Sequence, residues 1–167
     1  DVSLVGSEMC IRDRNMIAET LLATLTSWII ENTEFDKKLD YPELHILSKS
    51  EMSRKACFSS NKCRVKAYYV KEEGIYFIDT LKPESEICDR SIILHELIHH
   101  YQKKQNKTFD LDQHTLWTLQ ERQAIFYQNV YLYQEKTKND FKGPENVLQC
   151  EGGSYLDLQY EYKKSNP

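Results

Sequence analysis

His95-Glu96-Leu97-Ile98-His99 constrains this chain more than any other stretch of it. On an α-helix, residues four apart share a face, so the two imidazoles stand one turn apart and can point at a single metal ion. Two nitrogen donors suit zinc, and a catalytic zinc needs one further protein ligand and an open position for water. Glu96 sits beside the first imidazole, where a general base takes a proton from that water. The flanking Ile92, Ile93, Leu94, Leu97, Ile98 and Tyr101 predict a helix buried in a small domain. The plainer alternative is a core helix whose two histidines are satisfied by hydrogen bonds.

A third ligand decides between these readings. A further His six residues after His99 would supply it, but that position holds Gln105. The other common solution is a Glu on the next helix. Residues 111 to 136 contain no Gly or Pro and many good helix formers, with Asp110 or Asp112 placed to cap the start. Within this segment Glu121 shares a face with Ala124, Ile125, Gln128 and Leu132. A carboxylate on an otherwise apolar stripe needs a partner, because a buried unpaired charge is expensive. Zinc would be that partner. The small Ala124 lets the two helices approach closely, and Gln128, one turn beyond it, either donates to a ligand from outside the coordination shell or simply packs between the helices.

With the His95-Glu96-Leu97-Ile98-His99 motif followed by Glu121-Arg122-Gln123-Ala124 on a second helix, the chain resembles the gluzincin group of zinc metallopeptidases in its minimal single-domain form. The resemblance spans roughly residues 65 to 136. It implies an α+β, zincin-like fold, in which a small, mostly antiparallel sheet packs on the active-site helix and on a second, Glu-bearing helix. It also implies that His95, His99 and Glu121 bind zinc, that Glu96 is the catalytic base, and that a peptide or protein is the substrate. No Asn precedes Glu121, where thermolysin-like enzymes carry one. In such domains an edge strand before the active helix lines the cleft, and an extended peptide can pair with it. By this likeness Tyr76, Ile78 and Thr80 are candidate substrate-binding residues, the alternative being an ordinary strand of the sheet.

The rest of the chain reads as scaffold. Residues 15 to 34 have helical spacing, with Ile17, Leu21, Leu22, Leu25, Trp28 and Ile29 on one face. Leu44 to Leu47 reads as a strand whose His45 faces solvent rather than metal. Residues 65 to 70 and 75 to 79 flank Lys71-Glu72-Glu73-Gly74, a hairpin loop with Gly at its end. Ser85 is placed to cap the motif helix. Beyond Lys136, Gly143-Pro144 and Gly152-Gly153 predict a loop-rich tail, and residues 155 to 162 fit either a strand or a helix. Residues 1 to about 14 are set apart as a sequencing artefact or disordered leader, because Met9 to Asp13 is what translation of a transposon end used in library preparation gives. A single domain over residues 15 to 167 is the expectation.

A net charge of −4 argues against general nucleic-acid binding. No run of 18 apolar residues is present, so no transmembrane segment is expected. Setting Cys10 aside with the leader leaves Cys57, Cys63, Cys88 and Cys150, an even number as a disulfide framework requires. Three pairings are open; Cys57 with Cys63 closes a short polar loop, and Cys88 with Cys150 then ties the motif helix to the tail. Oxidised pairs imply a periplasmic or secreted protein. For the group that stabilises a developing oxyanion, His100, His114, Tyr127 and Tyr131 are candidates that spacing does not separate. Beside the peptidase stand two alternatives: a catalytically inactive zinc-binding module that holds a protein partner, and a cytosolic regulatory peptidase, which would need reduced cysteines and an adjoining DNA-binding segment.

Overall fold

The computed structural model describes residues 5–35, 38–58, 63–105, 112–138 and 150, with the side chains of the first helix described from Ala18 and those of the last up to Glu135. Four helices and three strands follow in the order α1 (Val5–Asn32), β1 (Leu44–Leu47), α2 (Lys49–Cys57), β2 (Ala67–Val70), β3 (Gly74–Ile78), α3 (Ile87–Lys104) and α4 (Gln113–Lys138). The architecture is α+β, as expected. Residues 1–4, Asp110, Gly143-Pro144, Gly152-Gly153 and residues 155 to 162 lie outside the described residues. Helix α1 reaches back to Val5, into the segment set apart as a leader.

The sheet is mixed rather than mostly antiparallel. Its order is β1-β3-β2, with β1 parallel and β2 antiparallel to β3. The β2–β3 hairpin sits where the Gly-ended loop predicted it. Position 74, at φ +123°, requires glycine, because a Cβ there would collide with the Glu43 carbonyl that accepts the Ile75 N–H at 2.8 Å. The parallel partner β1 is joined to the hairpin through α2, a helix that the apolar pattern did not reveal. Its signal is polar. Ser48 accepts from the Glu51 N–H while the Glu51 carboxylate accepts from the Ser48 N–H at 2.8 Å, a capping box that starts a helix with little apolar content.

The central position of β3 corrects a second expectation. His45, Tyr76 and Tyr68 are directly opposite one another across the three strands, and their rings stack at centroid distances of 4.4 and 5.1 Å. Tyr76 and Ile78 therefore lie in a strand whose hydrogen-bonding edges are both occupied, and Thr80 lies in the turn after it. An extended substrate cannot pair there. His45 is half-buried against Tyr76, and its Nε2–H donates to the Glu73 carbonyl at 2.9 Å, away from the motif helix.

Helices and sheet meet over one core. Leu21, Leu22, Leu25, Trp28 and Ile29 of α1 pack with Ile75 and Phe77 of β3, with Ile93, Leu94, Leu97, Ile98 and Tyr101 of α3, and with Ala124 and Tyr131 of α4. Each aliphatic or aromatic side chain fully withdrawn from water contributes about 1.5–3 kcal/mol. Ala124 is completely buried, as its place between the two helices requires. The entry to α3 differs from expectation by one residue. Glu86, not Ser85, is the N-cap, and it makes no side-chain cap; the preceding turn is held instead by the Asp89 carboxylate, which accepts the Lys82 N–H at 2.9 Å, and by the Arg90 guanidinium, which donates to the carbonyls of Pro83 and Glu84. Cys57–Cys63 and Cys88–Cys150 are disulfide-bonded. Among the described residues no helix is long and apolar enough to cross a membrane.

Candidate metal centre

Helix α3 is buried on much of its surface, and only part of its polar set, His95, His99 and Gln102, is brought against α4. His95 and His99 fall one turn apart on the side that meets α4, and their side chains keep 15% and 12% of their exposure. Glu121 comes from the α4 face that carries Ala124, whose lack of a large side chain brings the helices together. Asp112 caps α4 by accepting the Thr115 N–H at 2.9 Å, one of the two capping positions expected, and so sets the helical phase at Glu121.

The three side chains converge. His95 Nε2 lies 3.1 Å from His99 Nε2, Glu121 Oε2 lies 3.4 Å from His95 Nε2, and Glu121 Oε1 lies 3.2 Å from His99 Nε2. Ligands about 2.1 Å from a tetrahedral zinc are about 3.4 Å apart, so the spacing matches a coordination edge. His95, His99 and Glu121 form a group that could hold a metal ion.

Hydrogen bonds at the far side of each ring strengthen this fit. His95 Nδ1 meets Gln128 Oε1 at 3.2 Å and His99 Nδ1 meets Gln102 Oε1 at 2.8 Å. An amide oxygen only accepts, so each Nδ1 is a donor and each Nε2 of a neutral ring presents a lone pair. Two lone pairs 3.1 Å apart, facing a carboxylate, repel unless a cation lies among them. A proton or a metal ion can fill that role. Gln128, on the Glu121 face, touches the His95 ring through its carboxamide oxygen, as an acceptor rather than the donor expected. Its amide nitrogen donates to Ser91 Oγ at 3.0 Å, and that hydroxyl donates to the Cys88 carbonyl at 2.7 Å.

The charges follow from the same contacts. Burial pushes the Glu121 carboxyl up, but hydrogen bonds from His95 and His99, together with their charge, more than reverse it and hold it down at about 2. Burial depresses His99, and the bond and charge of Glu121 and the charge of Glu96 outweigh that, leaving it raised. Glu96 is only 8% exposed. Burial lifts its carboxyl above the usual range; His95 and His99 pull it partly back, Glu121 pushes it further up, and the Tyr69 N–H donates to it.

None of the four candidate oxyanion donors is free beside the cluster. His100 is buried on another side of α3, between the Tyr69 hydroxyl at 3.2 Å and the Asp40 carbonyl at 3.0 Å. Tyr127 donates to Glu34, and Tyr131 packs edge-on against Trp28. His114 is exposed next to Trp117, two turns before Glu121. Gln102 was not singled out in the sequence, although its place three residues after His99 on the same helix is a usable signal. Glu34 and Gln123, which touch neither ring, carried none.

No curated protein and no solved structure matches the chain. A family profile described as a domain of unknown function does, over residues 14–153, a stretch that takes in α3, α4 and every member of the cluster. On that match, the chain belongs to the domain family DUF6647.

Proposed function

We propose that this protein is a zinc-dependent peptidase, with His95, His99 and Glu121 as the metal ligands and Glu96 as general base. The observation that carries the reading is the convergence of two Nε2 lone pairs and one carboxylate at 3.1 to 3.4 Å, with a buried carboxylate one residue from the first ring. Bound zinc supplies Lewis acidity, which acidifies water and polarises a carbonyl. Glu96, made more basic by burial, accepts the proton of the attacking water and passes it to the leaving amine. The gluzincin resemblance of the two motifs supports the same assignment.

Strand β2 replaces β3 as the place for an extended substrate. Lys66 and Val70 direct their carbonyls toward the β3 side, accepting from Ile78 and Glu73. Alternation then turns the peptide groups of Ala67 and Tyr69 outward, where no described strand pairs with them. Since the Tyr69 N–H bonds to Glu96, this edge runs beside the proposed base. A peptide added to β2 passes the reacting groups. The two disulfides favour a periplasmic or secreted location over the cytosolic reading.

A peptide-library cleavage assay with metal analysis tests this. Wild type should contain zinc and cleave, Glu96→Gln should keep zinc and lose at least about a hundredfold in turnover, and His99→Ala should lose zinc. Zinc binding with no cleavage by wild type would favour the partner-binding module. Full turnover by Glu96→Gln removes the assigned base.

A further inference from the structure

Ile75 and Phe77 carry one face of the sheet into the core, and on the opposite face three rings stand in a row across the strands. His45 of β1, Tyr76 of β3 and Tyr68 of β2 share a register line, with planes only 20° and 10° apart and centroids 4.4 and 5.1 Å apart. The first two rings are held. His45 Nε2–H donates to the Glu73 carbonyl at 2.9 Å, the Tyr76 hydroxyl donates to the Glu73 carboxylate at 2.8 Å, and the Lys55 ammonium lies 4.5 Å from the Tyr76 centroid. Tyr68 ends the row. Its side chain is half-buried, with one ring face on Tyr76, and among the described residues no further ring or cation meets the other face.

This row has the period of the sheet. Paired strands repeat every 4.8 Å or so, about the distance at which offset rings stack, so a strand added outside β2 brings its own side chain to the Tyr68 ring. Lys66 and Val70 bond to β3, and alternation gives the peptide groups of Tyr68, midway between them, to β3 as well. An antiparallel peptide on the outer edge therefore meets Tyr68 as a pair without mutual backbone bonds, the closer kind, with Cα atoms about 4.5 Å apart. The Tyr69 N–H is held by Glu96, which leaves the Tyr69 carbonyl and the Ala67 peptide groups to bond the peptide. Residues directly opposite one another project from the same face, so the one facing Tyr68 points along the row of rings.

We propose that the peptide received by β2 carries an aromatic residue opposite Tyr68, whose ring stacks on the open face of Tyr68 and adds a fourth rung to the row. This rests on β2 being the substrate strand of the peptidase proposed above. Tyr76 already steadies the Tyr68 ring, so little side-chain freedom is lost on contact. Beyond the area it buries, an aromatic pair adds the equivalent of about 2- to 12-fold in affinity. The residue facing Tyr68 is next in the peptide to the one facing Tyr69, whose amide bonds Glu96, so the preference falls at one position close to the reacting bond.

The test exposes wild type, Tyr68→Phe and Tyr68→Leu, each in zinc-containing buffer, to a randomised peptide library whose products are sequenced by mass spectrometry. Wild type should cleave peptides with Phe, Tyr or Trp at one position near the cut with kcat/KM about fivefold above those with Leu there. Tyr68→Phe keeps the ring and should keep this ratio. Tyr68→Leu should bring the ratio to within about twofold of unity while cleaving the Leu peptides as wild type does. Damage to the fold would slow all peptides alike and leave the ratio unmoved. An unchanged ratio in Tyr68→Leu, or no aromatic preference in wild type, overturns the inference and leaves the peptidase reading standing. A wild type that cleaves nothing refutes that reading instead, and capture of the same library on immobilised wild type and Tyr68→Leu then decides: an aromatic enrichment lost in Tyr68→Leu upholds the stacking, and no enrichment overturns it. Should Tyr68→Leu fail to fold, proton spectra of wild type give the answer, since a Phe peptide should shift the Tyr68 ring signals upfield and its Leu counterpart should not; equal shifts overturn the inference.

Discussion

Zinc should stabilise the fold by an amount that the geometry of the cluster makes measurable. His95 and His99 on α3 and Glu121 on α4 are already spaced as coordination requires, so binding costs little rearrangement. An ion that binds only the native state adds about 2.7 kcal/mol at a free concentration a hundred times its dissociation constant. For a domain of this size each kcal/mol moves the melting midpoint by about 2–4 °C, so zinc should raise Tm by about 5–11 °C. Differential scanning calorimetry of chelator-treated protein, before and after addition of zinc, measures it. His99→Ala, which removes one of the three proposed ligands, should abolish the shift while leaving the metal-free protein folded. Equal stabilisation of wild type and His99→Ala would mean that zinc acts elsewhere on the surface. No shift in wild type with zinc or cobalt would refute the claim that the two rings and the carboxylate are arranged for a cation.

Three further outcomes are expected. Opening the Cys88–Cys150 bridge by Cys88→Ser and Cys150→Ser together should cost about 4 kcal/mol, against about 2 kcal/mol for the corresponding pair at Cys57–Cys63, because the loops closed span 62 and 6 residues; urea unfolding measures both, and equal losses would contradict the chain-entropy reasoning. Gly74→Ala should destabilise by about 2 kcal/mol or more, since a side chain is strained at φ +123° and displaces the Glu43 carbonyl; a neutral result in the same assay would mean the turn has another conformation. Burial and the bond to Glu34 push the Tyr127 hydroxyl up to about 12. Its folded value lies above the unfolded one, so its contribution to stability is complete below about pH 10 and is lost as pH rises toward 12. Tyrosinate absorbance should show a late-titrating group in wild type that Tyr127→Phe lacks.

What the sequence made legible was what local periodicity encodes. His95, Glu96 and His99 share a turn of one helix, and Glu121 was found because a carboxylate on an apolar helical face calls for a partner. The stripe through Leu21, Leu25, Trp28 and Ile29 predicted the core face of α1 in the same way. Helix α2 was missed because an exposed helix with one fully buried residue, Met52, has almost no apolar rhythm, and its Ser48–Glu51 capping box was the only available sign. The order of the strands depends on pairings between Leu44–Leu47 and Ile75–Ile78 across some thirty residues, which no local pattern contains. That is why β3 was expected at an edge and lies at the centre. Gln123 and Glu34 carried no such signal for a related reason: polar residues on separate elements become informative only when the fold brings those elements together, whereas Gln102 was legible from its spacing to His99.

The indole of Trp28 donates to Gln134, whose own amide donates to Asn32, so the end of α1 is fastened to α4 well beyond Glu121. A shortened chain beginning after Asn32 would keep every donor atom of the candidate centre and still lack the brace that holds the carboxylate's helix at its proper distance from the paired rings. Any metal affinity of the cluster would then report on the integrity of a helix that supplies none of its side chains.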